Sequence, residues 1–260
     1  MRIVITGAAS GIGRAVAEQA VHSRLLTGEH RLLLVDRDAA NLAAVAAPFG
    51  DSAATLVADI MQDDIGDRIV AAARDHMGGI DGLTLNAGII AGGALADLAA
   101  ADYDRLFAIN TRGNWLIAKA AFPELKASRG ALVATASMSG HEPTPGLSAY
   151  SASKAALLML VRQLSVEWGP DGIRCNTVSP GPTLTPMTAA GYSDPARREQ
   201  REAGIPLRKL GTPEEVANAI LFLLSDLASH ITGIDILVDG GMCNALTVAT
   251  GAGTGQAGRA

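Results

Sequence analysis

The chain has 260 residues, of which 48% are hydrophobic, 18% charged and 3% aromatic. This length suits one large α/β domain or two small ones and by itself prefers neither, and the apolar fraction suffices for a packed interior. A formal net charge of -5 offers no basic stripe to neutralise phosphates, which argues against a nucleic-acid partner. Neither Cys175 nor Cys243 belongs to a CxxC or zinc-spaced cluster, so neither a disulfide framework nor a metal site is expected.

The first apolar run, Arg2 to Thr6, is too short for a signal-peptide core or a membrane span, and the expectation is a cytoplasmic protein without a membrane partner. Further short apolar runs follow at Arg31 to Asp36, Ala54 to Asp59, Gly82 to Asn86, Gly130 to Ser137, Arg174 to Ser179 and Ile234 to Val238. They alternate with longer Ala/Leu-rich stretches. That is the pattern of βαβ units closing a seven-stranded, mostly parallel, doubly wound sheet with helices on both faces.

Two helices have readable ends. One runs from about Ser148 to Trp168 and is stopped by Gly169 and Pro170; another starts at the capping box of Thr212, Pro213 and Glu215. No composition shift or repeat divides the chain, so residues 1–249 are read as one domain. The Gly-rich segment 250–260 is expected to be a disordered tail. Its Gly253, Gly255 and Gly258 match a dinucleotide fingerprint, but no strand precedes them and no helix follows, so the match is rejected.

After the first strand stands Thr6-Gly7-Ala8-Ala9-Ser10-Gly11-Ile12-Gly13, followed by a helical pattern from Arg14. A strand turning sharply into a helix aims unpaired N–H groups and the positive end of the helix dipole at one point, where a pyrophosphate is favoured. Gly7, Gly11 and Gly13 would permit the tight turn, the close approach of the ligand and the contact of helix with sheet. Asp36 ends the second strand, where a carboxylate can bond both adenosine ribose hydroxyls and repel a 2′-phosphate, selecting NAD over NADP. Neighbouring Arg37 is the residue that would favour NADP instead. The thirty residues between Thr6 and Asp36 exceed the spacing of about twenty usual between fingerprint and acid, an excess assigned to the connection from His22 to His30.

Tyr150-Ser151-Ala152-Ser153-Lys154 lies near the start of the Ser148 to Trp168 helix, so i, i+4 spacing puts a phenol beside an ammonium. A phenol with pKa about 10 is a poor base at neutral pH, and a neighbouring cation favours its ionised form. Taken alone the pair describes many helix surfaces.

Together with the glycine turn, Asn86-Ala87-Gly88, Asn110, Ser137 thirteen residues before Tyr150, and Pro180-Gly181, the pair resembles the short-chain dehydrogenase/reductase family over about residues 1–245. The resemblance implies a single-domain Rossmann-like fold and hydride transfer between NAD(H) and a secondary alcohol or ketone. Ser137 would bond the substrate oxygen, Tyr150 would exchange the alcohol proton, Lys154 would hold the nicotinamide ribose and lower the Tyr150 pKa, and Asn110 would anchor a relay water. Ser10, Ile12 and the three glycines would hold the pyrophosphate. Asp59 and Ile60 would contact adenine, Asn86 to Gly88 the ribose, and Pro180, Gly181, Thr183 and Thr185 the nicotinamide end.

The resemblance also implies a mobile substrate lid over 184–210 and a homotetramer. A substrate pocket formed by Ile90, Met138, His141, Pro145, Leu184, Met187 and Tyr192 is expected from their positions after strand ends.

Other classes share single features. Ser151 and Lys154 match the S-x-x-K of acyl-transfer enzymes, yet S-D-N and K-T-G partners are missing. A dinucleotide sensor without chemistry would not need Ser137, Tyr150, Lys154 and Asn110 together. The larger epimerases and dehydratases that use Tyr and Lys require a longer substrate domain and another glycine spacing. An NADP(H)-dependent carbonyl reductase of the same fold is the alternative closest to the preferred reading.

Overall fold

The computed structural model describes residues 1–23, 25–26 and 28–245; the expected tail over 250–260 lies outside the described residues, as do 246–249. Seven strands form one sheet: β1 (Arg2–Thr6), β2 (Arg31–Asp36), β3 (Ala53–Val57), β4 (Gly82–Leu85), β5 (Ala131–Thr135), β6 (Arg174–Pro180) and β7 (Asp235–Val238). Their order is β3-β2-β1-β4-β5-β6-β7, and every pairing is parallel. The sheet is therefore uniformly parallel where the sequence suggests only a mostly parallel one. The order reverses between β1 and β4, and a parallel sheet leaves its ligand crevice beyond the carboxyl ends of the strands at such a point.

The described residues form eight α-helices, most of them packed on the sheet: α1 (Gly11–His22), α2 (Ala39–Ala46), α3 (Ile65–Met77), α4 (Ala100–Phe107), α5 (Asn114–Ser128), α6 (Tyr150–Trp168), α7 (Pro195–Ala203) and α8 (Pro213–Leu224). Two buried clusters show why the strands are apolar without interruption. Ile3, Ile5, Leu32 and Leu34 face Val16 and Ala20 of α1, Leu42 of α2, and Val216 and Ile220 of α8. Val4, Leu33, Val35 and Leu83 point the opposite way, into Ile69 of α3, Ile117 and Leu125 of α5, and Leu157 and Val161 of α6. A period of two thus serves two cores at once.

The capping box at Thr212 forms as expected: Thr212 Oγ1 accepts from Glu215 N at 3.3 Å, and Glu215 Oε2 accepts from Thr212 N at 2.9 Å. Helix α6 starts at Tyr150 rather than Ser148, because Ser148 has φ +47° and its hydroxyl donates to Ala91 O. Strand β3 stops at Val57, two residues short of Asp59, and β5 stops at Thr135, two short of Ser137. Both side chains therefore sit on the connections that leave the sheet edge. Among the described residues no helix is long and apolar enough to cross a membrane.

Candidate active site

The turn from β1 into α1 is built around two left-handed glycines, Gly7 (φ +67°) and Gly11 (φ +54°). A Cβ at Gly13 would lie 2.1 Å from Gly7 O and 2.7 Å from Asn86 Nδ2, so only hydrogen fits where the helix meets the turn. Thr6 fixes this corner. Its hydroxyl accepts from Asn86 N (3.0 Å) and Ala87 N (3.1 Å) and donates to Thr84 O (3.3 Å). Asn86 completes the lock, with Nδ2 donating to Gly7 O (3.3 Å) and Oδ1 accepting from Thr135 Oγ1 (3.1 Å). No side chain caps the start of α1 at Ser10, and its first turn carries no acidic residue. The helix dipole and first N–H groups there remain available to an anion.

At the outer end of the cleft, Asp36 Oδ2 accepts from Ala9 N (3.1 Å) and Oδ1 from Asp38 N (3.0 Å). These bonds hold the carboxylate at the rim, with Arg37 and Asp38 beside it in the cleft wall. Asp59 Oδ1 accepts from Met61 N at 2.9 Å, and both Asp59 and Ile60 line the cleft. Arg14, Asp38 and Asn41 also line this end. Sequence reasoning missed them, and only their nearness to the glycine turn and Asp36 could have flagged them.

Tyr150 and Lys154 lie on the inner wall. Lys154 Nζ donates to Thr135 O at 2.8 Å, its one hydrogen bond among the described residues, and sits 5.8 Å from the Tyr150 ring centroid. Burial drives its pKa down to about 8. Burial likewise pushes the Tyr150 phenol above its ordinary value, while a hydrogen bond to Ser137 pulls it back in part. Burial is the larger influence on the phenol, and the Lys154 ammonium bonds the Thr135 carbonyl rather than the phenol oxygen.

Asn110 stands behind this wall, fully buried, in a π turn over Ala108–Gly113 that links α4 to α5. Its amide clamps Ile89, accepting from the N–H at 2.8 Å and donating to the carbonyl at 3.0 Å, and also donates to Ser153 Oγ at 3.0 Å. A side chain so engaged fixes the segment after Gly88. The same amide ties Ile89 to α6. Ser153, which sequence reasoning passed over, completes the tie by donating to Tyr150 O at 2.7 Å.

The cleft encloses about 1080 Å³ and brings together Gly7, Ser10, Gly11, Ile12, Asp36, Asp59, Ile60, Asn86 to Gly88, Ser137, Tyr150, Lys154, Pro180, Gly181, Thr183 and Thr185. Gly13 lies beneath the turn, outside the lining. Of the expected substrate pocket, Ile90, Met138, Pro145, Met187 and Tyr192 line the cleft, whereas His141 and Leu184 do not. Leu184 is 40% exposed, and its N–H is bonded to Gly211 O. His141 is turned away by an ion-pair partner, with Nε2 2.8 Å from Asp235 Oδ2. Ser139, Glu142, Thr144, Thr188 and Arg201 line the same end without having been anticipated.

The ends of segment 184–210 meet where Thr183 pairs with Gly211. Between them Thr188 Oγ1 donates to Thr183 O (2.6 Å) and accepts from Thr185 N (3.0 Å). The segment is thus a closed excursion over the cleft rather than part of the sheet. A Cβ on Gly11 would lie 3.5 Å from Thr185 Cβ, so it reaches the glycine turn.

A strand-to-helix glycine turn, a carboxylate closing β2, and buried Ser137 and Lys154 flanking a half-buried Tyr150 within one crevice define a dinucleotide-binding oxidoreductase framework. The comparisons agree. A family model described as enoyl-(acyl carrier protein) reductase, one of the short-chain dehydrogenase models, matches residues 7–243. L-rhamnose 1-dehydrogenase (NAD(P)(+)) of Azotobacter vinelandii is 35% identical over 244 residues, covering 92% of this chain and 95% of the relative. 2-(R)-hydroxypropyl-CoM dehydrogenase of Xanthobacter autotrophicus is 34% identical, covering 91% and 96%. The crystal structure of a glucose/ribitol-type short-chain dehydrogenase/reductase from Brucella melitensis superposes with TM-score 0.86 at 37% identity, covering 93% of this chain and 96% of that one. The chain belongs to the short-chain dehydrogenase/reductase family of oxidoreductases.

Proposed function

We propose that this protein interconverts a secondary alcohol and a ketone using NAD(H), with Tyr150 as general acid and base. The observation that carries the reading is the convergence of Ser137, Tyr150 and the buried Lys154 at the inner end of a cleft whose other end is the glycine turn. The residues present fit a dinucleotide. The uncapped start of α1 suits a pyrophosphate, Gly7 and Gly11 leave room for its approach, and Lys154 has N–H donors to spare for ribose hydroxyls.

When bound, the nicotinamide supplies or accepts the hydride. The chain manages the proton. Ser137 holds the substrate oxygen near the phenol, and Tyr150 gives its proton to the nascent alkoxide in reduction or takes the alcohol proton in oxidation. Lys154 orients the ribose, while Asn110 keeps the Ile89 segment against α6. Pro180, Gly181, Thr183 and Thr185 cover the nicotinamide end, and Asp59 with Ile60 borders the adenine.

Asp36 supports NAD, because its carboxylate is fixed at the rim by Ala9 and Asp38 and would lie against a 2′-phosphate. The A. vinelandii relative carries NAD(P)(+) in its name, so the preference needs a direct test. A panel of secondary alcohols assayed with both cofactors is expected to show NAD preferred by roughly tenfold or more, and Asp36→Ala should narrow that preference by a similar factor. Equal use of NADP by the unaltered protein would refute the assignment. Binding of NADH without turnover of any alcohol would instead favour a sensing role.

A homotetramer is proposed as the assembly. Met159 and Val166 on α6 are 60% and 77% exposed, and Ile234 and Leu237 at the edge strand are 40% and 36% exposed, giving two apolar faces that second copies could cover. Light scattering should return four times the 26.6 kDa chain mass; a monomer would exclude this assembly.

A further inference from the structure

His141 has no place in the cleft, yet it ends the short turn that carries Ser137. That turn closes on itself through Ser139 N to Ser137 Oγ (3.1 Å), Gly140 N to Ser137 O (2.9 Å) and His141 N to Met138 O (2.9 Å). One side of it presses on α6: a Cβ at Gly140 would lie 2.8 Å from Leu158 Cδ1 and 3.0 Å from the Lys154 carbonyl carbon. The other side is tethered to β7 by the bond from His141 Nε2 to Asp235 Oδ2.

The Asp235 side chain is 4% exposed, and its second oxygen accepts from Ser179 Oγ at 2.9 Å. One buried carboxylate therefore joins the Ser137 turn to the residue preceding Pro180, where the chain leaves β6 for the nicotinamide end of the cleft. Asp235 itself has little freedom. The approach to β7 is stitched to β6 by Asn176, whose Nδ2 donates to Ile231 O (2.9 Å) and whose Oδ1 accepts from Ile234 N (3.2 Å). A tether of this kind fixes a reacting group only if its anchor is rigid.

We infer that His141, acting through Asp235, is a positioning residue that holds the Ser137 hydroxyl in place beside the Tyr150 phenol on the cleft wall that both line. It touches neither substrate nor cofactor. The inference rests on the proposed roles of Ser137 and Tyr150. It goes beyond them by making the placement of Ser137 beside Tyr150 depend on a side chain outside the cleft.

A purely structural ion pair would lower stability without altering the Tyr150 environment, and the test separates the two cases. His141→Leu removes the donor, whereas His141→Gln places a carboxamide N–H near the Nε2 position. Tyr150 is titrated in the free protein by ultraviolet difference after fast pH jumps, with Tyr150→Phe as reference, alongside melting temperature, kcat and KM on 2-pentanol, and NADH affinity. In His141→Leu, the Tyr150 titration should move up by roughly half to one pH unit, the worth of one lost hydrogen bond. Its kcat should fall about tenfold with KM and NADH affinity held. His141→Gln should restore both. An unmoved Tyr150 titration, or equal effects from the two variants, overturns the inference. If no alcohol is turned over, the proposed reaction has failed, but the titration still decides whether His141 positions Ser137.

Discussion

Replacing Tyr150 with Phe is expected to lower turnover by roughly 10²–10⁴, the usual worth of a positioned general acid or base, while NADH binding changes by less than threefold. The ring stays in place, and the contacts of Lys154 with Thr135 and of Ser153 with the Tyr150 carbonyl do not involve the lost oxygen. Ser137 keeps its bond from Ser139 N. Because burial holds the phenol above its ordinary pKa in the free protein, Tyr150 is protonated at neutral pH. Reduction, which needs the proton on the phenol, should therefore be supported at neutral pH. Oxidation, which needs it off, should rise toward alkaline pH until the phenol ionises. Steady-state kinetics in both directions between pH 6 and 10 would check this. Appreciable turnover by Tyr150→Phe, or oxidation that falls as pH rises, would remove Tyr150 from its assigned role.

Much of this framework was legible in the sequence because its physics is local. The seven apolar runs predicted all seven strands, since a parallel sheet buried on both faces needs uninterrupted apolar residues. Thr212, Pro213 and Glu215 announced a helix start that the structure reproduces. The cleft also gathers residues from six strand ends that are far apart in sequence, as the order of the motifs suggested.

What escaped prediction depends on long-range contacts. His141 follows Ser137 by four residues and reads either as a pocket residue or as an exposed loop histidine, but its partner is Asp235, ninety-four residues away. Nothing local announces that the Asn110 amide bonds Ile89 and Ser153, twenty-one and forty-three residues away. The nearness of Lys154 to Tyr150 is legible from their i, i+4 spacing. Spacing gives proximity but says nothing of the desolvation that dominates both groups once the cleft wall closes around them.

That desolvation leads to the second large effect, one in which activity and stability move in opposite directions. Lys154→Met should reduce turnover by roughly 10²-fold or more, because the ammonium that would orient the ribose is removed, yet it should stabilise the free protein at neutral pH. In the folded chain the amine titrates near 8 rather than 10.5, which corresponds to a bias of about 3 kcal/mol toward its neutral form. Between about pH 8 and 10.5 the unfolded chain binds the proton that the folded chain has released, so stability rises with pH across that window. The gain is complete above the unfolded pKa and lost as pH falls through the folded one. At neutral pH the protein thus carries the cost of a charged, buried ammonium with one carbonyl partner. Methionine fills a similar volume without that charge, at the expense of the bond to Thr135 O. Denaturant unfolding at pH 7 and pH 10 should show the variant ahead at the lower pH, with the rise between the two values reduced. A variant less stable than the parent at pH 7, with the pH dependence intact, would mean that the Lys154 charge is better compensated inside the cleft wall than its single hydrogen bond implies.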